Sequence, residues 1–137
     1  MSTNSKLSLK VKQLLQEGFS YHQKGQFNEA QKIYEKILER DPKNFNALQL
    51  SATLLLQNKK YVEALNIFDI ALKIKPNFFQ LYKNYGTALE GLKRFDEALE
   101  SYNKAIQISP NYLEAYICQG NLLKKLKRFN EALKIYD

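Results

Sequence analysis

The octet Leu92-Lys93-Arg94-Phe95-Asp96-Glu97-Ala98-Leu99 recurs 34 residues later as Leu126-Lys127-Arg128-Phe129-Asn130-Glu131-Ala132-Leu133, with one change in eight. The same interval toward the N-terminus finds weaker copies, Lys60-Tyr61-Val62-Glu63-Ala64-Leu65 and Gln26-Phe27-Asn28-Glu29-Ala30-Gln31. A period of this size means one supersecondary unit stacked on copies of itself, because a single unit cannot bury its own apolar face. The repeat divides the chain into a polar lead-in at 1–10, units at 11–44, 45–78 and 79–112, and a shorter fourth unit at 113–137.

Within the first unit the spacing is helical. Leu14, Gly18 and Tyr21 fall four and three apart on one face, and Phe27, Ala30, Ile33, Tyr34, Ile37 and Leu38 form a second face. Lys24-Gly25-Gln26 separates them, with a glycine suited to a left-handed helix end. The unit is therefore a pair of antiparallel helices. The same spacing predicts helices over 44–57 and 61–74, 78–91 and 95–108, and 112–125 followed by a last helix that reaches Asp137. Ser5 or Ser8 is the expected cap of the first helix.

Pro42, Pro76 and Pro110 repeat at the same 34-residue interval and are expected to end one helix and open the next, with Asp41 and Ser109 as caps. Small residues recur at Gly18, Ala52, Gly86 and Gly120 in the first helices and at Ala30, Ala64, Ala98 and Ala132 in the second. Large ones recur at Leu14, Leu48, Tyr82 and Tyr116, then at Tyr34, Phe68, Tyr102 and Tyr136. Knobs and recesses so placed are expected to interlock between neighbouring units.

This pattern resembles the tetratricopeptide repeat (TPR) family: 34-residue helix pairs, Gly or Ala in the first helix, an aromatic-x-Glu-Ala opening of the second, an aromatic four residues on, and a closing proline. The resemblance covers about residues 11–137. It departs from the family at Glu17, Ser51 and Gln119, where leucine is usual, and at Ile37, which replaces an alanine. It implies an all-α fold, a right-handed superhelical solenoid of antiparallel helix pairs.

Composition narrows the function. The net charge is +7, but the basic residues are spread over all units, and 18 of the 21 are lysine rather than the arginine that best reads phosphate. No apolar run approaches the roughly 20 residues needed to span a bilayer, and the first residues do not resemble a secretory leader, so a cytoplasmic protein without membrane contact is expected. A single cysteine excludes a disulfide scaffold.

Converging catalytic groups are missing. His22 is the only histidine and has no carboxylate at helical spacing to orient it, so it reads as a surface or groove residue. Cys118 reads as a packing or groove residue rather than a nucleophile or ligand. Glu29, Glu63, Glu97 and Glu131 each stand in the first turn of a second helix, where the dipole favours a carboxylate. Lys59-Lys60, Lys93-Arg94 and Lys127-Arg128 suit the ends of the first helices, and stacked on one edge they could attract an acidic partner. No enzyme activity, cofactor or metal is expected.

The resemblance instead points to the concave side, lined by the first helices, where TPR proteins bind extended peptides or partner helices. The residues expected there are Lys12, Leu15, Gln16, Phe19, Asn46, Gln49, Leu50, Thr53, Gln80, Lys83, Asn84, Thr87, Glu114, Ile117, Cys118 and Asn121. Their amides donate and accept at once, which suits contacts to a peptide backbone. The terminal-carboxylate clamp of co-chaperone TPR domains is absent, since Leu15 and Phe19, Leu50, and Gln80 and Asn84 occupy its places. The asparagine ladder of the O-linked N-acetylglucosamine transferases is matched at Asn84 and broken at Leu50 and Cys118.

A non-catalytic scaffold for a protein or peptide partner is the expected function. The alternative is the N-terminal TPR arm of a larger enzyme resembling those glycosyltransferases. An RNA-binding repeat is weaker, because Phe19 is the groove's one aromatic. The chain stops inside a helix without a closing proline, so further repeats or domains beyond residue 137 are expected, with Leu122, Leu123 and Leu126 incompletely covered.

Overall fold

A computed structural model describes residues 2–127 and 134–135. Among these the fold is all-helical, with α1 (Ser2–Gln23), α2 (Phe27–Arg40), α3 (Phe45–Gln57), α4 (Tyr61–Ile74), α5 (Phe79–Gly91), α6 (Phe95–Ile108) and α7 (Leu113–Lys125). Three-residue turns join α1 to α2, α3 to α4 and α5 to α6, and four-residue turns join the pairs. Of the expected second helix of the last unit only residues 134–135 are described, both helical; Arg128, Phe129, Glu131, Ala132 and Tyr136 lie outside the described residues.

The turns inside the pairs share one geometry. Lys59, Lys93 and Lys127 have left-handed backbones, with φ of 62°, 61° and 62°, at the places equivalent to Gly25 at 77°. The Lys60 N–H donates to the Leu55 carbonyl and the Lys59 N–H to that of Leu56; the Arg94 and Lys93 N–H groups do the same to Leu89 and Glu90. This is the double bond pattern that satisfies the last carbonyls of a helix, and glycine is its usual residue because a Cβ is disfavoured there.

The turns between pairs correct the sequence reading. The N–H groups of Asn44, Phe78 and Tyr112 donate to the carbonyls of Asp41, Lys75 and Ser109, so each proline is the second residue of a β-turn and the next helix begins three residues later. Pro42, Pro76 and Pro110 therefore end helices without opening them. Asp41 and Ser109 close α2 and α6; Asn44 caps α3 by accepting from the Ala47 N–H, and Tyr112 begins α7 without a side-chain cap bond. Ser5 and Ser8 do not cap α1 either, because that helix already runs from Ser2. No proline or glycine interrupts residues 2–17, so nothing in that stretch breaks the helix.

The knobs and recesses meet within a pair at Gly18 and Gly86, and between units where Gly91 leaves room for the Tyr61 ring. A Cβ on Gly18 would lie 2.7 Å from the Tyr34 ring, and one on Gly86 would lie 2.6 Å from that of Tyr102. Ala52 and Phe68 share one core cluster, both fully buried. Tyr34, Phe68 and Tyr102 are thus the anchors of successive layers, each contributing about 1.5–3 kcal/mol on burial. Aromatic edges bring together the two ends of a unit, Phe45 on Phe78 at 4.9 Å and Phe79 on Tyr112 at 4.8 Å, and between units the core is shared: Ala47 and Leu54 join the cluster of Tyr34, Leu81 that of Phe68, and Leu65 and Leu122 that of Tyr102. Leu122 and Leu123 are buried and Leu126 partly so, contrary to the expectation of incomplete cover, because Leu122 joins the cluster of Ala88, Leu89 and Tyr102.

Candidate functional site

Contacts between helices define the two sides of the stack. The first helices touch one another in order, α1 to α3, α3 to α5 and α5 to α7, whereas among the described residues α2, α4 and α6 make no contact with one another. Layers that close together on one side and spread on the other must curve, with the first helices inside. On the spread side lie two clefts. One, of about 650 Å³, is floored by α3 at Ser51 and Leu55 and walled by Glu35, Glu39 and Glu63, with Lys60. The other, of about 380 Å³, is floored by α5 at Tyr85 and Leu89 and walled by Asp69, Glu97 and Glu100, with Arg94 and Lys104. They are one repeat apart.

The expected groove residues of α5 fall on the opposite side of that helix from its cleft floor. At about 100° per residue, Gln80, Lys83, Asn84 and Thr87 centre roughly half a turn from Tyr82, Tyr85 and Leu89. Lys12, Gln16, Phe19, Asn46, Glu114, Ile117 and Asn121 are exposed, and Leu15, Gln49, Leu50, Thr53, Gln80, Lys83, Asn84, Thr87 and Cys118 are half-buried. The structure brings Lys83 and Glu114 together across α5 and α7 at 3.8 Å. Among the described residues the side-chain amides of Gln49, Gln80 and Asn84 have no hydrogen-bond partner. Half-buried amides in that state leave donors and acceptors for a ligand.

Two threonines contribute less than their position suggests. The Thr53 hydroxyl donates to the Gln49 carbonyl at 2.8 Å and the Thr87 hydroxyl to that of Lys83 at 3.1 Å, each one turn back along its own helix. Thr87 also accepts from the Tyr102 hydroxyl at 3.4 Å, which turns it toward α6. Cys118 is held as a thiol: burial pushes its pKa up, Lys83 opposes that rise, and Glu90 and Glu114 add to it. His22 is fixed rather than poised, with Nε2 2.9 Å from the Gln57 amide oxygen and its ring edge against Phe19 and Phe27.

The basic edge is partly neutralised. Arg94 forks onto Glu97 three residues on, with Nη2 to Oε1 at 2.8 Å, and the first lysine of each pair serves the left-handed turn. Glu90 escaped the sequence reading altogether. Its carboxylate accepts from the Tyr102 hydroxyl at 2.9 Å and from Lys125 Nζ at 3.0 Å, joining α5, α6 and α7. The available signal was positional, since Glu90 stands where the earlier units have Leu56 and His22. Tyr85 shares a cleft with Asp69 across α4 and α5, and burial first, then that carboxylate, pushes its pKa up to about 12.

Among the described residues no helix is long and apolar enough to cross a membrane, and no cluster of three or more potential ligands could hold a metal ion. None of the curated proteins matches the chain. Solved structures do: MamA 41-end from Desulfovibrio magneticus RS-1 is 21% identical with a TM-score of 0.88, covering 92% of this chain and 71% of that one. MamA MSR-1 is 24% identical at 0.80, covering 92% and 72%, and a further MamA crystal structure is 23% identical at 0.85, covering 92% and 74%. At these identities the likeness is one of fold. A tetratricopeptide repeat model matches residues 21–85 and a TPR repeat model residues 91–127, so matches to one family span most of the helical stack. The chain belongs to the tetratricopeptide repeat family.

Proposed function

We propose that this protein is a non-catalytic scaffold that binds an extended peptide segment of a partner protein along the inner face formed by α1, α3, α5 and α7. The observation that carries this reading is the set of half-buried amides on Gln49, Gln80 and Asn84, unpartnered among the described residues, on helices that touch one another in order. A peptide laid across them would satisfy those groups through its own backbone, which favours extended ligands over a fixed sequence. Lys83 beside Glu114 and the exposed Phe19 and Ile117 add charged and apolar positions for side-chain selection.

The test is a selection of linear peptides from a random library on immobilised protein, followed by titration of the tightest against Asn84→Ala and Lys83→Ala. Asn84→Ala is expected to weaken binding about tenfold, in line with loss of a paired amide in a desolvated contact. Affinity unchanged in both variants would overturn the groove as the binding face.

A further inference from the structure

The outer surface of α4 differs from those of its sister helices. Val62, Ile70 and Ile74 are exposed by 59%, 44% and 36%. The equivalent places hold Asn28, Lys36 and Arg40 in α2, and Asp96, Lys104 and Ile108 in α6. The repeat supplies its own control: the fold does not require apolar residues there, and only α4 has three. By the helical angle all three fall within about a third of the circumference, on a ridge about 18 Å long. With Ala64, Leu65, Phe68 and Ala71 buried on the other side, α4 carries apolar residues on both faces, the outer ones interleaved with Asn66 and Lys73.

Charge identifies what would cover it. The two clefts flanking α4 are walled by six carboxylates against three cations, in a chain whose net charge is +7. Arg94 and Glu97 neutralise each other as a forked pair, which leaves five carboxylates against two cations. An apolar ridge between acidic troughs is complementary to a helix with leucine-like residues along one side and lysine or arginine along its flanks.

We propose that the outer face of α4 is a second docking surface, for a basic amphipathic helix of a partner protein. The helix would lie along α4 with its apolar side on Val62, Ile70 and Ile74 and its cations reaching into the clefts. This surface is separate from the inner groove and does not depend on it.

The probe is a synthetic helical peptide of about 18 residues, or five turns, with leucines on one face and lysines on the other. A leucine–glutamate peptide of the same pattern is the control, and binding is read by fluorescence anisotropy. The variants are Ile70→Lys and Val62→Asn, which install the residues of α2 at exposed positions; melting curves matching the parent establish that both fold. The parent is expected to bind the lysine peptide and not the glutamate peptide, with at least about tenfold loss in Ile70→Lys and a smaller loss in Val62→Asn. Asn84→Ala should bind it as the parent does. Equal affinity in parent and both variants, or equal binding of the two peptides, would overturn the proposal. So would peptide-free dimerisation in sedimentation that Ile70→Lys abolishes, which would give the ridge to a second copy of this chain.

Discussion

The first and third units build the same knob from tyrosine and treat its hydroxyl in opposite ways. Tyr34 and Tyr102 stand two repeats apart, each against a helical glycine that leaves room for the ring. In the third unit the hydroxyl meets Thr87 and Glu90, and Glu90 continues to Lys125. In the first unit those two places hold Phe19 and His22, and among the described residues the buried Tyr34 hydroxyl has no partner. The middle unit removes the question with Phe68. Shape is therefore what the repeat conserves at this layer, while polar satisfaction is left to each unit.

The largest effect that tests this contrast is truncation of the knobs. Tyr102→Ala should cost about 3–5 kcal/mol of unfolding free energy, as for other aromatic truncations in cores, and lose the bond to Glu90 besides. Tyr34→Ala should cost less, since it forfeits packing alone. Equal losses in denaturant titrations would mean that the Glu90 network adds nothing.

Removing only the hydroxyls sharpens the comparison. Tyr102→Phe is expected to cost about 1–2 kcal/mol because a charge-assisted bond in a partly buried setting is lost. Tyr34→Phe should be neutral or gain up to about 1 kcal/mol, because it deletes a buried polar atom without a partner among the described residues. Opposite signs in paired melting curves are the outcome expected; a matching loss in Tyr34→Phe would reveal a partner for that hydroxyl.

A smaller effect concerns the turns, where the first unit has the better residue. Gly25 occupies the left-handed position freely, while Lys93 holds it against its own Cβ. Lys93→Gly should stabilise the protein by about 0.5–1 kcal/mol, and Gly25→Ala should destabilise it by a similar amount. If Lys93→Gly lowered the midpoint, the side chain itself would have a role there.

Much of the architecture was legible because the repeat reports each position several times. The bounds of α4 and α6 match the spacing argument, and α3, α5 and α7 begin one residue later than expected. The prolines were misread because a fixed φ suits the second residue of a β-turn as well as the first residue of a helix, and only the bonds from Asn44, Phe78 and Tyr112 distinguish the two. Gly25 showed its left-handed turn openly, but Lys59 and Lys93 concealed the same turn, since only their equivalence to Gly25 marks it. The pairing of Gly18 with Tyr34 and of Gly86 with Tyr102 depends on which helix each face meets, which periodicity leaves open. For the groove, the expected residues were those of the first helices, yet the turn of Thr87 toward Tyr102 and the Lys83–Glu114 pair depend on side-chain geometry across elements. The apolar ridge of α4 needed the opposite comparison, of what differs between repeats rather than what recurs.

The inner face is the centre of the functional account, and Asn84 is its most exacting position: half-buried, unpartnered among the described residues, and on α5, which touches both α3 and α7. The dissociation constant of a library-selected peptide for the parent and for Asn84→Ala tests it most directly. About tenfold weaker binding by the variant, at an unchanged melting temperature, is the predicted result. An unchanged constant would contradict the assignment of the inner face as the binding surface.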